Sequence, residues 1–146
     1  MGDDLAAANV NRSYSLAATN IAIFSFMLFF LYPRFESGTI SPRLFQATLI
    51  AMGVATFSLV FSTFHYYAVS LPGRINEADR TTYARRADRF WLVGCTVMFL
   101  APSLVLFLVK LRFVGSVWLG LWVGYLFFVV RCFPQVQTPR PENRGD

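Results

Sequence analysis

The sequence predicts an all-α fold, a four-helix transmembrane bundle with both termini in the cytoplasm. Hydrophobic residues make up 55% of the 146-residue chain, charged residues only 14%, and the mean hydropathy is +0.49. Such a composition is typical of a chain whose surface faces lipid. Four apolar runs approach the length of about 20 residues that a helix needs to cross about 30 Å of hydrocarbon. The predicted helices cover residues 16–32, 44–69, 77–109 and 113–132.

Prolines mark the ends of the first two predicted helices. The first helix is predicted to end before Pro33, and Pro42 is predicted to open the second. Proline cannot donate an interior helical hydrogen bond, but it is tolerated in a first turn. We interpret the first run as a retained span rather than a signal peptide, because its leader carries Asp3 and Asp4.

The polar segment before the third span contains a helix break and a new helix start. Leu71-Pro72-Gly73 breaks the second helix, and Asn76 is a suitable N-cap for the next one. The third helix is predicted to continue without interruption into the membrane, where Pro102 should kink it and Ser103 or a neighbour could satisfy the released carbonyl.

The connection between the third and fourth predicted helices is only Lys110-Leu111-Arg112, which indicates a tight antiparallel hairpin. Residues 1–133 are therefore predicted to form one membrane domain. Residues 134–146 are polar and rich in proline, cannot bury an apolar face, and are predicted to form a flexible cytoplasmic tail.

Lysine and arginine are distributed unequally between the two sides of the predicted bundle. The amino terminus, the connection between the second and third helices, and the carboxyl terminus share one side, which carries nine of the 13 cations. The opposite side carries the other four, which are Arg34, Arg43, Lys110 and Arg112. Cytoplasmic loops are enriched in Lys and Arg, so both termini are predicted to be cytoplasmic.

The second helix carries a face of small and weakly polar residues. They recur at spacings of three and four residues and are Thr48, Ala51, Ala55, Ser58, Ser62 and His65. Such a face either lets neighbouring backbones approach closely or lines a water-filled pore, and both interpretations stand. His65, the only histidine, could be a hydrogen-bonded interfacial residue, a pH or ion gate, or a haem ligand.

The fourth helix carries a second face of small residues. Ser116, Gly120 and Gly124 recur at intervals of four residues, and the two glycines form a GxxxG motif. In membrane helices this motif is typical of a helix-pairing surface. The pairing partner could belong to the same bundle or to another subunit.

A cluster of cations is predicted to lie at the cytoplasmic lipid headgroups. Arg85, Arg86 and Arg89 precede Trp91, a residue type that favours the membrane interface. Each such cation contributes about 1 kcal/mol of attraction to an anionic leaflet. Anionic headgroups are therefore expected partners of this headgroup collar, through general anchoring or, alternatively, through binding of a specific lipid or partner.

The sequence favours assembly over transport or catalysis. No charged residue lies in the central part of a predicted span, whereas proton-coupled transporters and voltage sensors depend on such residues. Asn20 and Gln46 remain as strong polar groups, with cross-helix hydrogen bonding as their expected role. No catalytic residue, metal site, cofactor or nucleic-acid partner is predicted.

The favoured function is that of a non-enzymatic multi-pass membrane protein acting through helix–helix association. It would be a homo-oligomer or a subunit of a membrane complex. The alternative is a small oligomeric ion channel lined by the second helix, with His65 near its cytoplasmic end. A membrane enzyme or haem anchor is a weaker alternative.

Overall fold

The computed structural model describes the backbone of residues 2–71 and 76–132, and it confirms the predicted all-α fold. Its helices in chain order are α1 (Gly2–Glu36), α2 (Pro42–Ser70), α3 (Glu77–Leu108) and α4 (Arg112–Cys132). All four are long and apolar enough to cross a membrane, so the chain is a multi-pass helical membrane protein. The predicted tail at 134–146 lies outside the described residues.

Consecutive helices pack side by side, and α2 is the central one. It contacts α1 on one side and α3 on the other, while α4 packs mainly against α3. The start of α1, the link from α2 to α3, and the end of α4 share one end of the bundle. We call this the basic end, because six of the ten cations among the described residues lie towards it, and the other four lie towards the opposite end.

Helix α1 extends beyond both predicted ends, and the prediction that it stops before Pro33 is wrong. It starts at Gly2 because its polar leader contains three consecutive alanines, the residue type with the highest helix propensity. It passes through Pro33 and ends at Glu36. Proline at this position removes one intrahelical hydrogen bond, and the helix continues for one more turn past it. Gly38 then adopts a left-handed φ of 70° and closes the helix.

The link between α3 and α4 reverses the chain within three residues. Lys110 adopts a left-handed φ of 65°, a conformation that glycine usually occupies at a helix C-terminus. Its N–H donates to the Phe107 carbonyl at 3.1 Å, and the Leu111 N–H donates to the Leu106 carbonyl at 2.9 Å. These bonds satisfy two carbonyls at the end of α3 and fix the hairpin.

The closest backbone approach recorded at a glycine in the described core lies between α2 and α3. A Cβ added to Gly94 of α3 would lie 2.8 Å from Cγ of Leu59 and 3.2 Å from the carbonyl oxygen of Ala55. Leu59 is fully buried and packs with Ala17 of α1 and Cys95 of α3. Only glycine fits at this contact, so Gly94 determines how closely these two helices pack.

We expect the Gly94→Leu variant to lose stability, because its side chain must displace Leu59 and the backbone at Ala55. Overpacking of this kind costs about 1–3 kcal/mol. Gly53→Leu is the matched control, since an added Cβ there meets nothing within 4 Å. Thermal unfolding in mild detergent measures the difference. Equal melting temperatures for the two variants would contradict the conclusion that Gly94 determines how closely α2 and α3 pack.

Candidate functional site

The small-residue face of α2 lies mostly inside the chain. Thr48, Ala55 and Ser62 are 0% exposed, and Ser58 is 8% exposed. Ala51 and His65, at the margins of the face, are half-buried. Part of this face meets α3, since the Ser62 hydroxyl donates to the carbonyl of Ala87 at 2.9 Å. In the folded chain, neighbouring helices therefore cover this face.

Asn20 provides the polar link between α1 and α2 that the sequence predicts for it. Its Nδ2 donates to the Met52 carbonyl at 2.9 Å and to Oγ1 of Thr56 at 2.7 Å. Thr56 in turn donates to the Met52 carbonyl of its own helix. Gln46 is exposed instead, on a part of α2 that points away from the core.

Replacing Asn20 by leucine should weaken the packing of α1 on α2. The change removes two cross-helix hydrogen bonds, each worth about 0.6 kcal/mol on average within membranes. We expect a loss of about 1 kcal/mol in unfolding free energy, measured by denaturant titration in mixed micelles. The matched control is Gln46→Leu, where the amide is exposed. If Gln46→Leu lost as much unfolding free energy as Asn20→Leu, the two hydrogen bonds of Asn20 would make no contribution to stability.

One face of α4 packs against α3. The Trp122 indole N–H donates to the Thr96 carbonyl at 2.8 Å. The Tyr125 ring meets Phe99 edge-on, with centroids 5.2 Å apart. Nearer the hairpin, the Ser103 hydroxyl donates to the carbonyl of Gly115 at 3.0 Å. Ser103 thus joins α3 to α4, rather than satisfying the carbonyl that Pro102 releases within α3.

The predicted helix-pairing face of α4 lies on the opposite side. At 100° per residue, Gly120 and Gly124 are each about 160° around the helix from Trp122. Ser116, Gly120 and Gly124 are all exposed, and an added Cβ at either glycine meets nothing within 4 Å. The Ser116 hydroxyl bonds to the Arg112 carbonyl of its own helix. This outer α4 face therefore has no packing partner within the described part of the chain.

Bulky apolar side chains flank the outer α4 face. Val117 is 49% exposed, Leu121 64% and Phe128 65%. Because glycine has no side chain, the surface at Gly120 and Gly124 is lower than at these neighbours, and it is open to whatever surrounds the bundle. Such relief is the shape into which another helix can pack.

The residues of the predicted headgroup collar separate in the structure. Arg86 and Arg89 are exposed and line a groove with His65, whereas Arg85 is exposed outside that groove. Trp91 is half-buried on the inner side of α3. There it meets Arg12, whose guanidinium carbon lies 4.7 Å from the indole centroid. Only two of the three arginines therefore share one recess.

His65 is held between α2 and α3. Its Nδ1 lies 2.7 Å from the Phe61 carbonyl, and its ring centroid is 5.3 Å from that of Phe90 and 5.8 Å from that of Tyr83. Among the side chains that the structure describes, no group of three His, Cys, Asp or Glu is arranged to hold a metal ion.

Sequence reasoning missed a polar cluster at the basic end. The Tyr66 hydroxyl of α2 donates to the carboxylate of Asp88 in α3. The cation–π contact of Arg12 with Trp91 joins α1 to α3 at the same end. These pairs unite residues from different helices, and no spacing within one helix could have revealed them.

Comparisons with protein-family models, curated proteins and solved structures find no match for this chain. A functional proposal is therefore based on the chain's own faces and grooves. Two exposed features are considered below, the outer α4 face and the groove beside His65.

Proposed function

We propose that this chain is a non-enzymatic membrane protein that acts by helix–helix association through the outer α4 face. The observation that carries the proposal is the placement of Gly120 and Gly124. Both are exposed, neither has an atom within 4 Å of an added Cβ, and both lie opposite the side that packs on α3. Lipid supplies no hydrophobic force between helices, so close backbone contact at small residues drives pairing.

A second copy of the chain is a geometrically simple occupant of this face. Two copies inserted in the same direction present parallel α4 helices to each other. A twofold axis along the membrane normal then places the glycines of one copy against those of the other. Crossing helices of the GxxxG type pair in this way. A helix of a different membrane subunit is the other occupant that the same surface would accept.

The pore alternative draws no support from the position of the α2 face. Thr48, Ala55 and Ser62 are already enclosed within a single chain, at 0% exposure. An assembly built on α4 leaves them inside each protomer, where they reach no shared water path. Packing within the bundle is therefore the role that we propose for the α2 face.

The double variant Gly120→Leu/Gly124→Leu should lose association while keeping its fold. The new side chains extend into space that is empty in the single chain, so the melting temperature of the protomer should stay unchanged. Particle mass in mild detergent and energy transfer between labelled copies in liposomes should both fall to the monomer values.

The matched control for that experiment is Gly53→Leu, which introduces the same side chain at an uncrowded position on α2. It should leave association intact. A wild-type particle with the mass of one chain and no other subunit would contradict the proposal. So would a double variant whose particle mass equals that of the wild type.

We also propose that the basic end faces the cytoplasm, because the segments that the sequence assigns to this side carry nine of the 13 cations. Cysteines introduced one at a time into a Cys132→Ser background test this orientation, since the remaining Cys95 is buried. In intact cells a membrane-impermeant maleimide should label Ser41→Cys at the opposite end. Asn11→Cys at the basic end should react only after permeabilisation. The reverse labelling would invert the orientation.

A further inference from the structure

We propose that the groove between α2 and α3 at the basic end binds an anionic phospholipid. The groove has a volume of about 630 Å³. It combines cationic, hydrogen-bonding and apolar side chains, and its lining residues are Phe61, His65, Arg86, Arg89, Phe90 and Val93. We call it the lipid groove. It lies on α2 and α3, apart from the outer α4 face, so its test is independent of the association proposed above.

The charged end of the lipid groove is formed by Arg86 and Arg89. They are three residues apart on α3, so both side chains lie on one side of the helix. The acidic residue nearest to them in sequence, Asp88, accepts the hydrogen bond of Tyr66 on a different side of α3. Among the described side chains neither guanidinium has an acidic partner, so both can donate to one phosphate, the anion that arginine binds best through paired N–H groups.

His65 adds a hydrogen-bonding group beside these cations. Its Nδ1 lies 2.7 Å from the Phe61 carbonyl, and a carbonyl oxygen can only accept, so Nδ1 carries the proton. The other ring nitrogen, Nε2, is then left for a glycerol or headgroup hydroxyl. The Phe90 ring, 5.3 Å away between centroids, packs beside the imidazole.

The apolar end of the lipid groove points toward the middle of the span. Phe61 and Phe90 pack with ring centroids 5.6 Å apart. Val93 is 45% exposed and lies about 10 Å farther along α3 than Arg86. Charge followed by an apolar surface is the order in which a phospholipid presents phosphate and acyl chain to a membrane protein. Free phosphate would contact only the charged end of the lipid groove.

The depth of the groove in the bilayer agrees with this occupant. A span of about 20 residues ending at Leu108, the last residue of α3, begins close to Arg89. Arg89 therefore lies at the edge of the hydrocarbon, where phosphates are. Basic recesses between membrane helices at this level are known to bind anionic headgroups.

Binding of dioctanoyl phosphatidylglycerol to the purified full chain in detergent tests the proposal, with calorimetry as the measurement. Dioctanoyl phosphatidylcholine has the same chains and no net charge, and it should bind roughly tenfold more weakly. The Arg86→Gln/Arg89→Gln variant should lose this preference. Arg85→Gln removes a charge from the same helix but outside the groove, so it should keep the preference.

Three results would overturn the proposal. Equal binding of the two lipids would show that headgroup charge does not determine binding. If Arg85→Gln lost the preference as fully as Arg86→Gln/Arg89→Gln, the preference would come from the general positive charge of this region and not from the groove. Displacement of the lipid by inorganic phosphate at similar concentration would assign a free-anion site. Unchanged melting temperatures show that the variants fold. If the double variant does not fold, Arg86→Gln alone should show a weaker preference for phosphatidylglycerol than the wild type, and an undiminished preference would count against the site.

Discussion

Buried hydrogen-bonding groups in a membrane must be satisfied by the protein itself, and the packing of this bundle follows from that constraint. A side chain of one helix reaches a backbone carbonyl of the next at each consecutive contact. Asn20 joins α1 to α2, Ser62 joins α2 to α3, and Trp122 joins α4 back to α3. Each bond requires two backbones to lie close together. Small residues at the contacts, above all Gly94, make that approach possible.

Small residues are buried on α2 but exposed on the outer face of α4. On α2 the small residues face other helices and are enclosed, with Ala55 beside the backbone of Gly94. On α4 Ser116, Gly120 and Gly124 face outward, because the aromatic side of this helix packs against α3 through Trp122 and Tyr125. What a glycine does in a membrane helix therefore depends on which side its bulky neighbours occupy.

This contrast also explains what the sequence could and could not predict. The spans were predictable because length and apolarity are local properties, and Asn20 was recognisable as a polar group needing a partner across helices. Periodicity placed Thr48 and Ser62 on one face but could not say what that face meets. Contacts between distant helices, such as Arg12 with Trp91, leave no trace in local spacing. The start of α1 was missed because hydropathy marks the lipid-facing part of a helix, not its end.

The lengths of the helices bear on how the chain fits a membrane. Helix α4 has 21 residues and measures about 31 Å, close to one hydrocarbon thickness. Helix α1 has 35 residues and measures about 52 Å, so it must project from the bilayer or tilt. Over its described length α4 thus matches one hydrocarbon thickness without tilting, whereas α1 has about 20 Å more than that thickness requires.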